Sequence, residues 1–137
     1  MTQHDFYILK DDAYLAFACR LLEKVYKQGY RIFVQTKDEA DANMLDKLLW
    51  TYKDISFVPH QLVGAEHLAA PIVIGQATPD AFSPDITLVL ANVEAPVASK
   101  SERVLYVVPN QPAWKQASRQ LYQALQSSGT NAEVHHI

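Results

Sequence analysis

Two cations and a phenol lie close together late in the sequence. Lys115, Arg119 and Tyr122 are four and three positions apart, so on a helix they form one stripe. The stripe suits a ligand in which a carboxylate lies beside an apolar group, because Arg donates a forked pair of hydrogen bonds, Lys supplies a point charge and Tyr an apolar wall. A basic face that only contacts solvent has the same spacing. The spacing alone leaves both interpretations open.

Two large apolar side chains mark a second candidate site. Trp50 and Phe57 lie where a helix is predicted to end and an irregular connection, residues 51–71, to begin. Connections usually run over the protein surface, so the two rings either pack into the core or bind a partner. A connection of this length in a compact domain is usually functional or mobile, which favours a partner surface. Pro59 is expected to end regular structure in this segment.

The glycine spacing matches neither the dinucleotide-binding fingerprint nor the P-loop. Asp11 and Asp12 follow the first predicted strand, where their carboxylates would repel a phosphate group. A small nucleotide-binding α/β enzyme without a recognisable phosphate loop therefore remains only as the alternative function. The four glycines are Gly29, Gly64, Gly75 and Gly129.

Other reactive residue types are few and scattered. His60 and His67, with Glu66 between them, would form a metal cluster only if their loop folded for it. Cys19 lies on a predicted helix, where a cysteine is more often a small core residue than a nucleophile. No serine has the surroundings of a nucleophile elbow. We therefore predict no catalytic residue, no metal site and no cofactor.

The composition indicates a cytoplasmic globular protein. Its 137 residues suffice for one domain with its own core, and a single cysteine excludes an internal disulfide and fits a reducing compartment. No apolar run reaches membrane-spanning length, and we expect no signal peptide. The net charge of −3 argues against a surface that grips DNA directly. Residues 104–132 nevertheless contain no acidic residue, which favours a small site for an anionic partner.

Continuous apolar runs alternate with helical patterns along the chain, which predicts a parallel sheet covered on both faces. The fold class is α/β: we predict a Rossmann-like three-layer α/β/α arrangement with a mainly parallel sheet, as one domain over residues 1–137. The second helix is expected to begin with a capping box between Thr36 and Glu39. Predicted helices end at Gly29, about Trp50 and Gly129. Predicted strands are 6–9, 31–35, 71–75, 85–90, 103–108 and a short edge strand at 132–136.

The chain resembles the chi subunit of bacterial DNA polymerase III over most of its length. The most specific match is Leu49-Trp50 followed by Phe57-Val58-Pro59-His60. The family implies a replication accessory protein without catalytic activity. It would link the clamp loader, through the psi subunit, to the C-terminal tail of single-stranded DNA-binding protein (SSB). Further matching segments are 6–9, 29–32, Leu45-Asp46, Leu62, Gly64, Asp85-Ile86, Val108-Pro109 and the helix that carries Lys115, Arg119 and Tyr122.

The resemblance also implies which residues contact each partner. The SSB tail, which ends in an apolar residue with its terminal carboxylate after several aspartates, would bind at Lys115, Arg119 and Tyr122. Gln123 stands where the family often has a further basic residue, so the site is expected either to be weaker or to depend more on Lys115 and Arg119. No direct contact with DNA is implied. The face for psi, or for a helicase-like repair protein instead, would consist of Trp50, Phe57, Val58 and Pro59.

Overall fold

The structure is a computed structural model that describes residues 2–51, 59–63, 70–77, 79, 82–92 and 101–137. This part of the chain contains three helices and the seven strands of one sheet. The helices are α1 (Tyr14–Lys27), α2 (Glu39–Thr51) and α3 (Pro112–Ser127). The strands are β1 (Gln3–Ile8), β2 (Ile32–Thr36), β3 (His60–Leu62), β4 (Ile72–Gly75), β5 (Ile86–Leu90), β6 (Arg103–Val108) and β7 (Ala132–His136).

The seven strands form a single sheet in the order β3-β4-β2-β5-β6-β1-β7. Every described pair of neighbours is parallel. All five residues of β5 are buried, as expected for a central strand that is covered on both faces. The predicted α/β fold with a parallel sheet is confirmed, and β7 is the predicted edge strand.

Strand β6 shows how the helices divide between the two faces of the sheet. Leu105 and Val107 belong to the core cluster that contains the buried residues of α1 and α2. Tyr106 and Val108 belong to a separate cluster with the buried residues of α3. Successive residues of a strand face opposite sides, so α1 and α2 cover one face and α3 covers the other. Among the described helices none is long and apolar enough to cross a membrane.

The predicted capping box at the start of α2 is wrong by two residues. The Asp38 carboxylate, rather than the Thr36 hydroxyl, accepts the backbone N–H of Asp41, at 2.8 Å. Thr36 is still part of β2, is buried, and donates its hydroxyl to the Asp38 carbonyl at 3.1 Å. The sequence contains two candidate caps in succession, and the length of β2 selects the later one.

The predicted irregular connection over 51–71 is wrong in one place, because it contains β3. This strand pairs in parallel with β4 at the edge of the sheet. Pro59 directly precedes β3 instead of ending regular structure, and a proline is tolerated there because the edge needs fewer backbone donors. A strand of three residues is too short to show an apolar period.

Candidate functional site

Helix α3 carries the first group of predicted binding residues. Its start is favoured by Pro112 at the first helical position, and Gly129, at a φ of +76°, follows its end. The helix attaches to the sheet through an apolar stripe, which leaves its flanks free to form one side of a groove. The buried residues of that stripe are Trp114, Ala117, Leu121 and Leu125.

A cleft of about 550 Å³ lies beside this flank and is called the α3 cleft below. Lys115, Ser118, Arg119 and Tyr122 form its helical wall. The three side chains that the spacing groups into one stripe therefore line the same cavity. In the described part of the chain, neither Lys115 nor Arg119 forms a salt bridge, so both charges are available to a ligand.

The floor of the α3 cleft is apolar. Phe6 and Ile8 supply it from β1, and the ring of Tyr122 meets Phe6 edge to face, with ring centroids 5.8 Å apart. Gln126 donates its amide N–H to the Tyr122 hydroxyl at 2.8 Å, which fixes the orientation of the phenol. An apolar ligand side chain can therefore lie against Phe6 and the face of Tyr122, while its polar end meets the basic helix.

Strand β7 closes the opposite side of the cleft. Val134, His136 and Ile137 line it there, and Val134 and Ile137 are 40% and 44% exposed. Their exposure leaves apolar surface that a ligand can bury. None of the described residues that line the cleft is acidic. A basic wall, an apolar floor and the lack of acidic side chains among the described lining residues together suit a small acidic ligand with an apolar group.

His135 points to the other face of the sheet, where the sequence analysis missed a buried ionic cluster. The Asp5 carboxylate is fully buried and lies 2.7 Å from the guanidinium of Arg103 and 3.1 Å from Nε2 of His135. Burial alone would raise the pKa of the Asp5 carboxyl, but the hydrogen bonds from Arg103 and His135 outweigh it, and the pKa lies below its ordinary value. Asp5 therefore remains charged near neutral pH.

The donor atoms of Asp5, Glu133 and His135 lie within 4.8 Å of one another, close enough to share one metal ion. The guanidinium of Arg103 already neutralises Asp5, however, and a cation would have to compete with it. We therefore read the cluster as an internal ion pair. A visible sequence signal is an aspartate directly before the apolar run of β1 and an arginine directly before that of β6, two strands that turn out to be neighbours.

Trp50 is the exposed member of the second predicted group. Its side chain is 57% exposed at the end of α2, and its ring lies 5.0 Å from the ring of His60. His60 is buried, and its Nε2 lies 3.1 Å from a carboxylate oxygen of Asp46. The indole of Trp50 therefore packs against an imidazole whose position is fixed by Asp46. Pro59, which directly precedes His60 in the sequence, is half-buried. Phe57 and Val58 lie outside the described residues.

Cys19 and His60 are the described members of the scattered reactive residues, and both contact other residues of the fold. Burial raises the pKa of the Cys19 thiol to about 11, as expected for a core cysteine, which stays protonated near neutral pH. His60 contacts Asp46, whereas His67 and Glu66 lie outside the described residues. The two described glycines with positive φ, Gly29 and Gly129, follow helix ends and not strands, so neither forms a phosphate-binding turn.

Comparison with known proteins places these features in a family. A family model described as DNA polymerase III chi subunit, HolC, matches residues 1–133. The chain belongs to this family. Its members are accessory subunits of the replicative DNA polymerase, so the chain belongs with the replication machinery.

Individual relatives agree with the family match. DNA polymerase III subunit chi of Pseudomonas aeruginosa is 33% identical, over 100% of this chain and 98% of the relative. The Escherichia coli protein of the same name is 30% identical, over 96% of this chain and 95% of the relative. The Haemophilus influenzae protein is 28% identical, with the same coverage of 96% and 95%. The similarity therefore spans nearly the whole chain.

Proposed function

We propose that this chain is a non-catalytic adaptor of the bacterial cytoplasm that joins the DNA polymerase III clamp loader to SSB. One face would bind the acidic C-terminal tail of SSB, and a separate face would bind the psi subunit or a helicase-like protein. The α3 cleft is the observation that carries the proposal. It combines an apolar floor with two cations, Lys115 and Arg119, that form no salt bridge with any described residue. These are the two features that the end of an acidic tail requires.

The chemistry of the cleft supports a ligand with a terminal carboxylate. Arg119 can donate two parallel hydrogen bonds to a carboxylate, and Lys115, half-buried one turn earlier on the helix, adds a second charge. The apolar side chain of the same terminal residue would lie on Phe6 and against Tyr122. A cleft of about 550 Å³ is in the range of sites that bind small ligands, and suits one or two peptide residues.

Gln123, in place of the basic residue that the family resemblance suggests, does not line the cleft. It is exposed on the surface of α3. The bound charge of the tail would therefore be compensated by residues inside the cleft, and the neutral side chain at position 123 would not block binding.

The exposed indole of Trp50 supports the second binding face. Large aromatic side chains are enriched among the residues that contribute most to protein–protein binding, and Trp50 presents much of its surface to solvent. The ring contact with His60 holds it in one orientation, which reduces the entropy lost on binding. Trp50 is at the edge of the sheet that carries β3, whereas the α3 cleft is at the β7 edge. The geometry therefore allows both partners to bind together.

The tail site can be tested with two peptides that differ only in their last group. One is an acidic peptide that ends in an apolar residue with a free carboxylate, and the other is the same peptide with a C-terminal amide. We expect the amide to bind at least about tenfold more weakly in calorimetric titrations, because it removes a charge-assisted hydrogen bond from a partly desolvated site. Equal affinities would contradict the proposed recognition of the carboxylate.

A further inference from the structure

We propose that Lys10 is a third cationic residue of the α3 cleft, and that it binds the acidic side chains that precede the terminal residue of the ligand. This inference rests on the proposed tail-binding function and assigns a role to a residue outside α3. Lys10 lies two residues beyond Ile8, the last residue of β1, and lines the cleft together with Ile8. It is 105 positions away from Lys115 in the sequence (115 minus 10), so helical spacing could not reveal it.

The order of charges along the cleft follows from the topology. Helix α3 begins close to the carboxyl ends of β6 and β1, since Asn110 connects β6 to α3 and contacts the residues after β1. Lys115 lies in the first turn of α3, and Arg119 lies about 6 Å further along the helix axis. Lys10 thus extends the row of positive charge beyond Lys115, at the end of the cleft opposite to Tyr122.

Hydrogen bonds hold the backbone of Lys10 in place from both sides. Asn110 donates its side-chain N–H to the Lys10 carbonyl at 3.2 Å. The backbone N–H of Asn110 donates to the Asp11 carbonyl at 2.9 Å, and that of Leu9 donates to the Val108 carbonyl at 2.9 Å. A fixed backbone limits where the ammonium can go, which lowers the entropic cost of pairing it with a ligand.

Within the described part of the chain, the ammonium of Lys10 has no acidic partner. It forms no salt bridge with any residue in the described ranges, although Asp11 is its neighbour. The Asp11 carboxylate instead accepts the backbone N–H of Ala13 at 3.0 Å. Lys10 is exposed and can therefore reach a carboxylate on a bound peptide. Lys10 therefore gives the cleft a third positive charge beside those of Lys115 and Arg119.

The role of Lys10 can be separated from that of Arg119 with two peptides. Both have the same apolar last residue with a free terminal carboxylate. One carries aspartates before the last residue, and the other carries asparagines. Lys10→Gln should weaken binding of the aspartate peptide about threefold to fivefold, as for an exposed ion pair, and should leave the asparagine peptide within about twofold. Lys24→Gln, which removes an exposed lysine of α1 outside the cleft, should change neither affinity by more than about twofold.

Each outcome of this experiment bears either on the role of Lys10 or on the tail site itself. If wild type binds the aspartate peptide but Lys10→Gln leaves its affinity unchanged, or weakens both peptides equally, the role of Lys10 is refuted and the tail site stands. The role of Lys10 is also refuted, and the tail site also stands, if Lys24→Gln weakens binding of the aspartate peptide as much as Lys10→Gln does. If wild type binds neither peptide, the tail site itself is refuted, and the role of Lys10 with it. Equal urea midpoints for the variants exclude a folding effect.

Discussion

Arg119→Ala is expected to weaken binding of an acidic C-terminal tail peptide at least about tenfold. The substitution removes the forked donor that would hold the terminal carboxylate, and a lost hydrogen bond to a charged group costs about 2 kcal/mol. Arg119→Lys should lose less, because the charge remains while the fork is lost. Isothermal titration calorimetry with one peptide and all three proteins measures the differences directly.

The matched control for this prediction is Arg31→Ala. Arg31 is exposed and its guanidinium lies over the ring of Phe82, at the other end of the strands. The substitution Arg31→Ala removes one positive charge, as Arg119→Ala does, and should leave the affinity for the peptide nearly unchanged. If the Arg119 and Arg31 variants bind the peptide as tightly as wild type, Arg119 does not contact the carboxylate. If both lose affinity equally, only the net charge matters.

Trp114→Ala is expected to lower the free energy of unfolding by about 3–5 kcal/mol, the largest stability effect we predict. Trp114 is only 6% exposed, packs in the core cluster between α3 and the sheet, and its ring lies 5.1 Å from that of Tyr14. Removing it leaves a cavity under the helix that carries the proposed tail site. Urea unfolding, followed by circular dichroism, gives the change in free energy.

The chain provides its own comparison, because it has two tryptophans. Trp50→Ala should cost about 1 kcal/mol or less, since most of that indole is in contact with solvent. Similar losses for the two variants would mean that Trp50 is a core residue, and would remove the argument for a second binding face. A small loss for Trp114→Ala would mean that α3 is not anchored by its buried stripe.

The periodic parts of the fold could be predicted from the sequence. Strands β5 and β6 are each apolar at all but one position, and α3 has a buried stripe at helical spacing, so local pattern and tertiary packing agree. The edge strand β3 could not be predicted in this way. Its three residues have no period, and what makes them a strand is pairing with β4, a contact that local sequence does not show.

The candidate site was predictable only on one side. Helical spacing places Lys115 and Arg119 on one stripe, and this needs no knowledge of the fold. The opposite side depends on β7 pairing with β1, which brings His136 next to Ile8 across the sheet. Lys10 joins the cleft for the same reason. Contacts between distant parts of the chain decide the shape of the cleft, and only the folded topology reveals them.

The central claim is that two separate faces bind two partners at the same time. Sedimentation velocity of the protein with a labelled SSB tail peptide and purified psi subunit tests it most directly. The wild type should form one complex that contains both partners, Arg119→Ala should lose only the peptide, and Trp50→Ala should lose only psi. Mutually exclusive binding, or the loss of the same partner from both variants, would contradict the claim.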